Sequence, residues 1–273
     1  MLDRRTLESL RARAKAIRRH IVTMVHRANS GHIGGSLGAT ELVTALYFHL
    51  MRHDPARPDW RERDRFILSK GHCTPVIYAA LAESGYFPLA DLETFRRPGS
   101  HLQGHPYQPK TPGIDASTGT LGLGLSTACG MALAARLRHS AETYYVICGD
   151  GESQEGQIWE AAMFASKYRL GNLVAFTDRN RLQTDGNTED VMPLDPLPEK
   201  WAAFGWHTQE IDGHDYDAIV DAVAAAHARP DQPSMIIANT TKGRGVSFME
   251  NIASWHGTPP TTDELQRALQ EIA

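Results

Sequence analysis

Four short runs in the 273-residue chain, at 66–69, 143–148, 172–178 and 234–240, are rich in aliphatic, aromatic and β-branched residues with no polar alternation. A strand that faces water on one side alternates; a strand covered on both faces does not. Parallel neighbours need a crossover long enough to hold a helix, and stretches with helical spacing lie between these runs. The expected fold is therefore α/β: a doubly wound, mainly parallel sheet flanked by helices. A further strand is predicted at 206–211. Helices are predicted at 3–28, 39–51, 74–84, 122–138, 154–168, 198–204, 215–228 and 261–272. Residues 30–38 read as a Gly-rich loop, the segment after Gly85 as a long loop, and the segment up to about 197 as irregular. With no repeat and no linker in view, residues 1–273 are expected to form one domain.

Charge and cysteine content narrow the class. The net charge of −4 lacks the basic excess of a nucleic-acid binder. Basic residues do crowd the first 19 positions. Opposite them, Leu7, Leu10, Ala14, Ile17, Ile21 and Val25 recur at helical spacing, which predicts one solvated and one buried helix face. The three cysteines, Cys73, Cys129 and Cys148, fit neither a zinc pattern nor a disulfide framework. They suit a reducing compartment, no apolar run reaches membrane-spanning length, and a cytoplasmic protein without membrane association is expected.

The segment Val146 to Glu152 is a buried strand ending in Gly149-Asp150-Gly151, with a helix close behind. In such sheets ligands sit beyond the carboxyl ends of the strands. Glycines let backbone N–H groups approach a phosphate, and a helix N-terminus favours an anion. Asp178-Arg179-Asn180-Arg181-Leu182 ends the next run. Asp150 and Asn180 together would offer oxygen ligands suited to Mg²⁺ or Ca²⁺. Taken alone, the pair reads equally well as two Asx-turns after strands.

Further motifs in chain order carry a resemblance. They are Ala28-Asn29-Ser30-Gly31-His32 with Leu37-Gly38-Ala39; Leu68-Ser69-Lys70-Gly71-His72; Gly104-His105-Pro106; Ser117-Thr118-Gly119-Thr120-Leu121-Gly122; Gly149-Asp150-Gly151 with Gln154-Glu155-Gly156; Asp178-Arg179-Asn180 with Asp185-Gly186; and His256-Gly257. In this order the chain resembles the transketolases, within the thiamine-diphosphate enzymes. The resemblance implies the diphosphate-binding domain of that fold. It implies thiamine diphosphate and Mg²⁺ as cofactors, with Ca²⁺ or Mn²⁺ as substitutes. The side chains of Asp150 and Asn180 and the main-chain oxygen of Leu182 would hold the metal. The Gly151 N–H, His72 and His256 would contact the diphosphate, backbone at Gly119 and Leu121 the aminopyrimidine. Glu155 matches an acidic residue buried between thiamine-binding units. Two departures, Arg181 for a second Asn and Ile33 for a Pro, remove no side-chain ligand.

Four of the thirteen histidines, His32, His72, His105 and His256, stand in Gly-rich surroundings. The resemblance places His32 and His256 at substrate hydroxyls that exchange protons and His105 on the donor's C1 hydroxyl, so these three are the expected catalytic residues. The remaining histidines read as surface, capping or core residues, with His101 undecided. No glutamate here matches the one that activates the cofactor. The chain thus resembles the N-terminal subunit of a split transketolase. A C-terminal partner would carry the activating glutamate and the pyrimidine-binding and C-terminal domains, in an α2β2 assembly. The implied reaction moves a two-carbon ketol unit from a ketose phosphate to an aldose phosphate. Alternatives are a different ketose phosphate, a 2-oxoacid, or a non-catalytic regulatory role.

Overall fold

The computed structural model describes residues 1–272. Five parallel strands form the central sheet: β1 (Arg65–Leu68), β2 (Tyr144–Gly149), β3 (Leu173–Arg179), β6 (His207–Asp212) and β7 (Ser234–Asn239). A two-residue hairpin, β4 (Leu182–Gln183) and β5 (Gly186–Asn187), stands apart from it. The helices are α1 (Arg4–Ala28), α2 (Ile33–Gly38), α3 (Thr40–Ala45), α4 (Thr74–Ser84), α5 (Leu123–Leu137), α6 (Gly156–Lys167), α7 (Thr188–Val191), α8 (Leu197–Ala203), α9 (Tyr216–His227) and α10 (Thr262–Glu271). The sheet order is β1-β2-β3-β7-β6.

Side chains alternate across the sheet into two apolar cores, which is why the strand sequences themselves do not alternate in polarity. Phe66, Tyr145, Ile147, Val174, Phe176 and Ile236 pack beneath α1, α3, α4, α9 and α10. Ile67, Val146, Cys148, Ala175, Met235 and Ile237 pack beneath α5, α6 and α8. The predicted stripe of α1 is the buried one: Leu10, Ala14, Ile17, Ile21 and Val25 are all covered. Asp3 caps its N-terminus by accepting from the Thr6 N–H. Among the described residues no helix is long and apolar enough to cross a membrane.

Several local expectations need correction. The Gly-rich segment is not all loop, since Ile33–Gly38 is a fully buried helix. Glycine's helix penalty of about 1 kcal/mol is overridden here by packing, because a Cβ on Gly34 would lie 2.8 Å from the Trp255 carbonyl oxygen. The helix predicted over 39–51 is α only to Ala45 and then widens into a π-turn at Leu46–Leu50. The helix expected from 154 starts at Gly156, after a 3₁₀ turn at Gly151–Gln154. The long loop holds a 3₁₀ segment at Leu89–Thr94, and the irregular stretch holds the hairpin and α7.

Candidate active site

The strand register levels the carboxyl ends of the sheet. Gly149 pairs with Asp178, and Asp178 with Ala238. The residues that follow, Asp150, Asn180 and the segment after Asn239, therefore emerge side by side, joined by Ser69–His72 beyond β1. They open onto a cavity of about 540 Å³. All of the sequence-derived site residues line it: His32, His72, His105, His256, Gly119, Leu121, Gly151, Glu155, Asp150, Asn180 and Leu182. Glu155 is exposed at the rim.

One buried carboxylate organises the strand ends. Asp178 accepts from the Lys70 ammonium beyond β1, from the Thr240 hydroxyl beyond β7, and at 3.3 Å from the Asn180 amide. Burial opposes its charge, but Lys70 beside it holds the carboxyl below its ordinary value. Asp150 has no cation at hydrogen-bond distance; Arg179 Nη1 stands 3.8 Å from its Oδ2. Its oxygens accept from the Gly151 N–H at 2.8 Å and the Arg181 N–H at 2.5 Å. Burial and the Asp178 carboxylate push it up to about 6. Asn180 Oδ1 accepts from the Leu182 N–H at 3.1 Å.

This donor set is one carboxylate, one amide and one main-chain carbonyl, all hard oxygen. Among the described residues no three His, Cys, Asp or Glu side chains cluster as a metal centre. The set thus fits a cation such as Mg²⁺ that completes its shell with phosphate oxygens and water. Asp150, left with a raised pKa and spare lone pairs, gains most from such a cation.

Donors face the other side of the cavity. His32, His72 and His256 form a cluster with ring centroids 4.9 to 5.2 Å apart. Burial is the main cause that lowers all three, to about 4, 4 and 3. Each is therefore a neutral imidazole at pH 7. The Nδ1 of His32 is buried without a hydrogen-bond partner. Lys242 Nζ lies 2.8 Å from His256 Nδ1 and donates to the Leu182 carbonyl oxygen at 3.0 Å. An ammonium only donates, so His256 Nδ1 is the acceptor and its Nε2 carries the proton. Burial drops Lys242 to about 8.

Close backbone approach builds the remaining wall. A Cβ on Gly71 would fall 2.6 Å from Thr118 Oγ1 and 2.8 Å from the Gly119 nitrogen. Glu152 then fixes that loop, accepting from the Ser69 hydroxyl, the Gly122 N–H at 2.8 Å and the Gly149 N–H at 2.9 Å.

Lys70, Glu152, Asp178 and Lys242 are the site residues that sequence reasoning left without a role. Lys70 and Lys242 each sit in a Gly-flanked motif, which was the available signal. Several of the other histidines find partners away from the cavity. His214 binds Glu41 at 2.9 Å, His26 the Pro260 carbonyl at 2.8 Å, and His101, outside the cavity, Asp91 at 3.1 Å.

A parallel α/β sheet whose strand ends set hard-oxygen groups opposite a cluster of imidazoles has the chemistry that a phosphorylated ligand with a divalent cation would fit. Residues 9–272 match the family model for "Transketolase, thiamine diphosphate binding domain". The chain is 51% identical over 263 residues to a 6-deoxy-6-sulfo-D-fructose transketolase subunit of Clostridium sp. (strain MSTE9), covering 96% of each. It is 42% identical to an apulose-4-phosphate transketolase subunit of Phocaeicola vulgatus, over 98% of this chain and 95% of that one. The solved transketolase of Campylobacter jejuni superposes with a TM-score of 0.92 at 31% identity, over 99% of this chain but 43% of that one. The chain belongs to the transketolase family, as its thiamine diphosphate binding domain.

Proposed function

We propose that this chain is the cofactor-holding subunit of a two-chain transketolase, forming with a C-terminal partner an enzyme that moves a two-carbon ketol unit from a ketose phosphate to an aldose phosphate. The observation that carries this reading is the single cavity in which oxygen ligands for a hard cation face a neutral imidazole cluster and a buried lysine. Relatives of matching length that bear the word subunit in their names support a partner chain, which we take to carry the activating glutamate and the pyrimidine-binding and C-terminal domains. An α2β2 assembly and a cytoplasmic location complete the proposal. The three buried, free cysteines fit that compartment. The two cores share one sheet, which supports reading residues 1–273 as one domain.

When bound, thiamine diphosphate supplies a carbanion at its thiazolium ring and an electron sink for carbon–carbon cleavage. The protein's own residues do the rest. Asp150, Asn180 and the Leu182 carbonyl hold Mg²⁺. The Gly151 N–H, His72, His256 and Lys242 bind the diphosphate oxygens, and backbone at Gly119 and Leu121 lies against the pyrimidine. His256 presents an N–H, because Lys242 occupies its other nitrogen. His32, uncharged at pH 7, takes the proton from the ketose C3 hydroxyl. His105 holds the C1 hydroxyl.

The test mixes the chain and its partner with thiamine diphosphate, Mg²⁺, xylulose 5-phosphate and ribose 5-phosphate. Sedoheptulose 7-phosphate should form only with both chains present. Asp150→Ala should abolish cofactor binding, and unchanged affinity in that variant would refute the site assignment.

A further inference from the structure

Resting on the proposed transketolase reading, we infer that Arg96 is a positioning residue that braces the two loops carrying His32 and His105 at the substrate side of the cavity. Its backbone sits at φ +58, the left-handed region where a side chain is disfavoured and Gly or Asn is the usual occupant. His139 and Arg169 share that conformation at helix ends with exposed side chains. Arg96 instead turns a half-buried guanidinium inward. A strained position filled by a long cationic residue indicates that the side chain is what is needed there.

The guanidinium touches both loops. Nη1 donates to Ser30 Oγ at 2.9 Å, two residues before His32. The flat group lies against Gly104, one residue before His105; a Cβ on Gly104 would stand 2.9 Å from Arg96 Cζ. Lysine, a point charge on a flexible stem, would not reproduce that planar contact. The Arg96 N–H donates to the Leu102 carbonyl at 2.8 Å and closes the turn between them. Tyr78 supports the same loop from α4, its hydroxyl donating to the Gln103 and His105 carbonyls at 2.9 and 3.2 Å. No carboxylate pairs with Arg96 among the described residues, and its buried Nε has no partner.

Without a counter-ion, the charge of Arg96 acts on its neighbours. Burial lowers the His105 ring, and Arg96 and then His72 lower it further. His32 is faced by His72, Arg96, His105, Lys242 and the His256 ring. Arg96 thereby helps keep both substrate-facing imidazoles neutral while fixing their separation.

The experiment compares the wild type with R96G, R96M and R96K. Glycine suits the backbone and deletes the brace; methionine keeps an apolar stem; lysine keeps the charge. In the full chain loaded with thiamine diphosphate and Mg²⁺, the ring-proton NMR titration of His105 should move upward in R96G and R96M and stay near wild type in R96K. With the partner subunit, kcat/KM should fall at least tenfold in R96G, and its acid limb should move to higher pH. Cofactor affinity should stay within twofold. R96K should recover the acid limb but not the full kcat/KM. A wild-type His105 titration in both R96G and R96M would overturn the inference, and so would a wild-type kcat/KM in R96G. If R96G does not fold, the R96M titration alone decides. The NMR readout needs no turnover, so it stands even if the ketol-transfer reading fails.

Discussion

Lys242 Nζ donates to the main-chain oxygen of Leu182 at 3.0 Å, so an ammonium rests on the oxygen proposed to ligate the cation. Both ends of this contact belong to the same anion-binding problem. The lysine offers positive charge where metal and diphosphate would meet, and its partners among the described residues are that carbonyl and an imidazole, not a carboxylate. Lys242→Met should therefore weaken thiamine diphosphate binding. A lost hydrogen bond to a charged group is worth about 1.5–3 kcal/mol, which is roughly a 10- to 150-fold rise in Kd. Calorimetric titration at fixed Mg²⁺ checks this, and unchanged affinity would remove Lys242 from the diphosphate site.

The imidazole cluster sets a pH dependence on the ligand-free chain. His32, His72 and His256 titrate at about 4, 4 and 3 when folded, against 6.5 when unfolded. Between these values the unfolded chain binds more protons, so stability rises with pH there. The contribution is complete above about pH 6.5 and is lost as the pH falls towards 4. Asp150, raised to about 6, and Glu152, also raised by burial, work in the opposite sense, but they are two groups against three. Thermal midpoints measured from pH 4 to 7.5 should climb and then level, and His72→Asn should flatten the climb.

A buried ion network ties α1 to the segment leading into Lys242. Arg18 donates twice to Glu41, at 2.6 and 2.7 Å, and His214 bridges Glu41 to the Thr241 N–H. Burial opposes charge on Glu41, but His214 and Arg18 hold its carboxyl low. Glu41→Ala would leave the Arg18 guanidinium buried and unpaired, a loss of about 3–5 kcal/mol. Urea unfolding measures it; a change below about 1 kcal/mol would show that water replaces the carboxylate.

Gly71→Ala should disrupt the cavity wall, because the added methyl meets the Thr118 hydroxyl and also the backbone at Thr118 and Gly119, which cannot swing away. Overpacking of this kind costs about 1–3 kcal/mol. The aminopyrimidine side of the site would shift with it. Cofactor affinity should fall more than global stability; equal affinity in a folded variant contradicts the close approach.

The sheet and most of the cavity were legible because their signals are local. Runs such as 172–178 carry their burial in their own composition, and glycines beside His72 or His256 mark turns within a few residues. The charged supports were not legible. Lys70 finds Asp178 across 108 positions, and Arg18 finds Glu41 across two helices; a lone lysine or arginine in a sequence looks solvated until its distant partner is known. Likewise α2 is hidden, since Gly34, Gly35 and Gly38 speak against a helix and only the packing of Trp255, Cys73 and Thr241 against them explains one.

Every group assigned to chemistry lies at the carboxyl ends of the strands, while the turn at Arg229–Asp231 precedes β7 at the opposite rim and is exposed. A strand of this length spans about 20 Å. A dye, tether or affinity handle attached at Asp231 therefore stands a full sheet's depth away from the cavity. The polarity of the sheet separates the surface where the molecule can be handled from the one where it works.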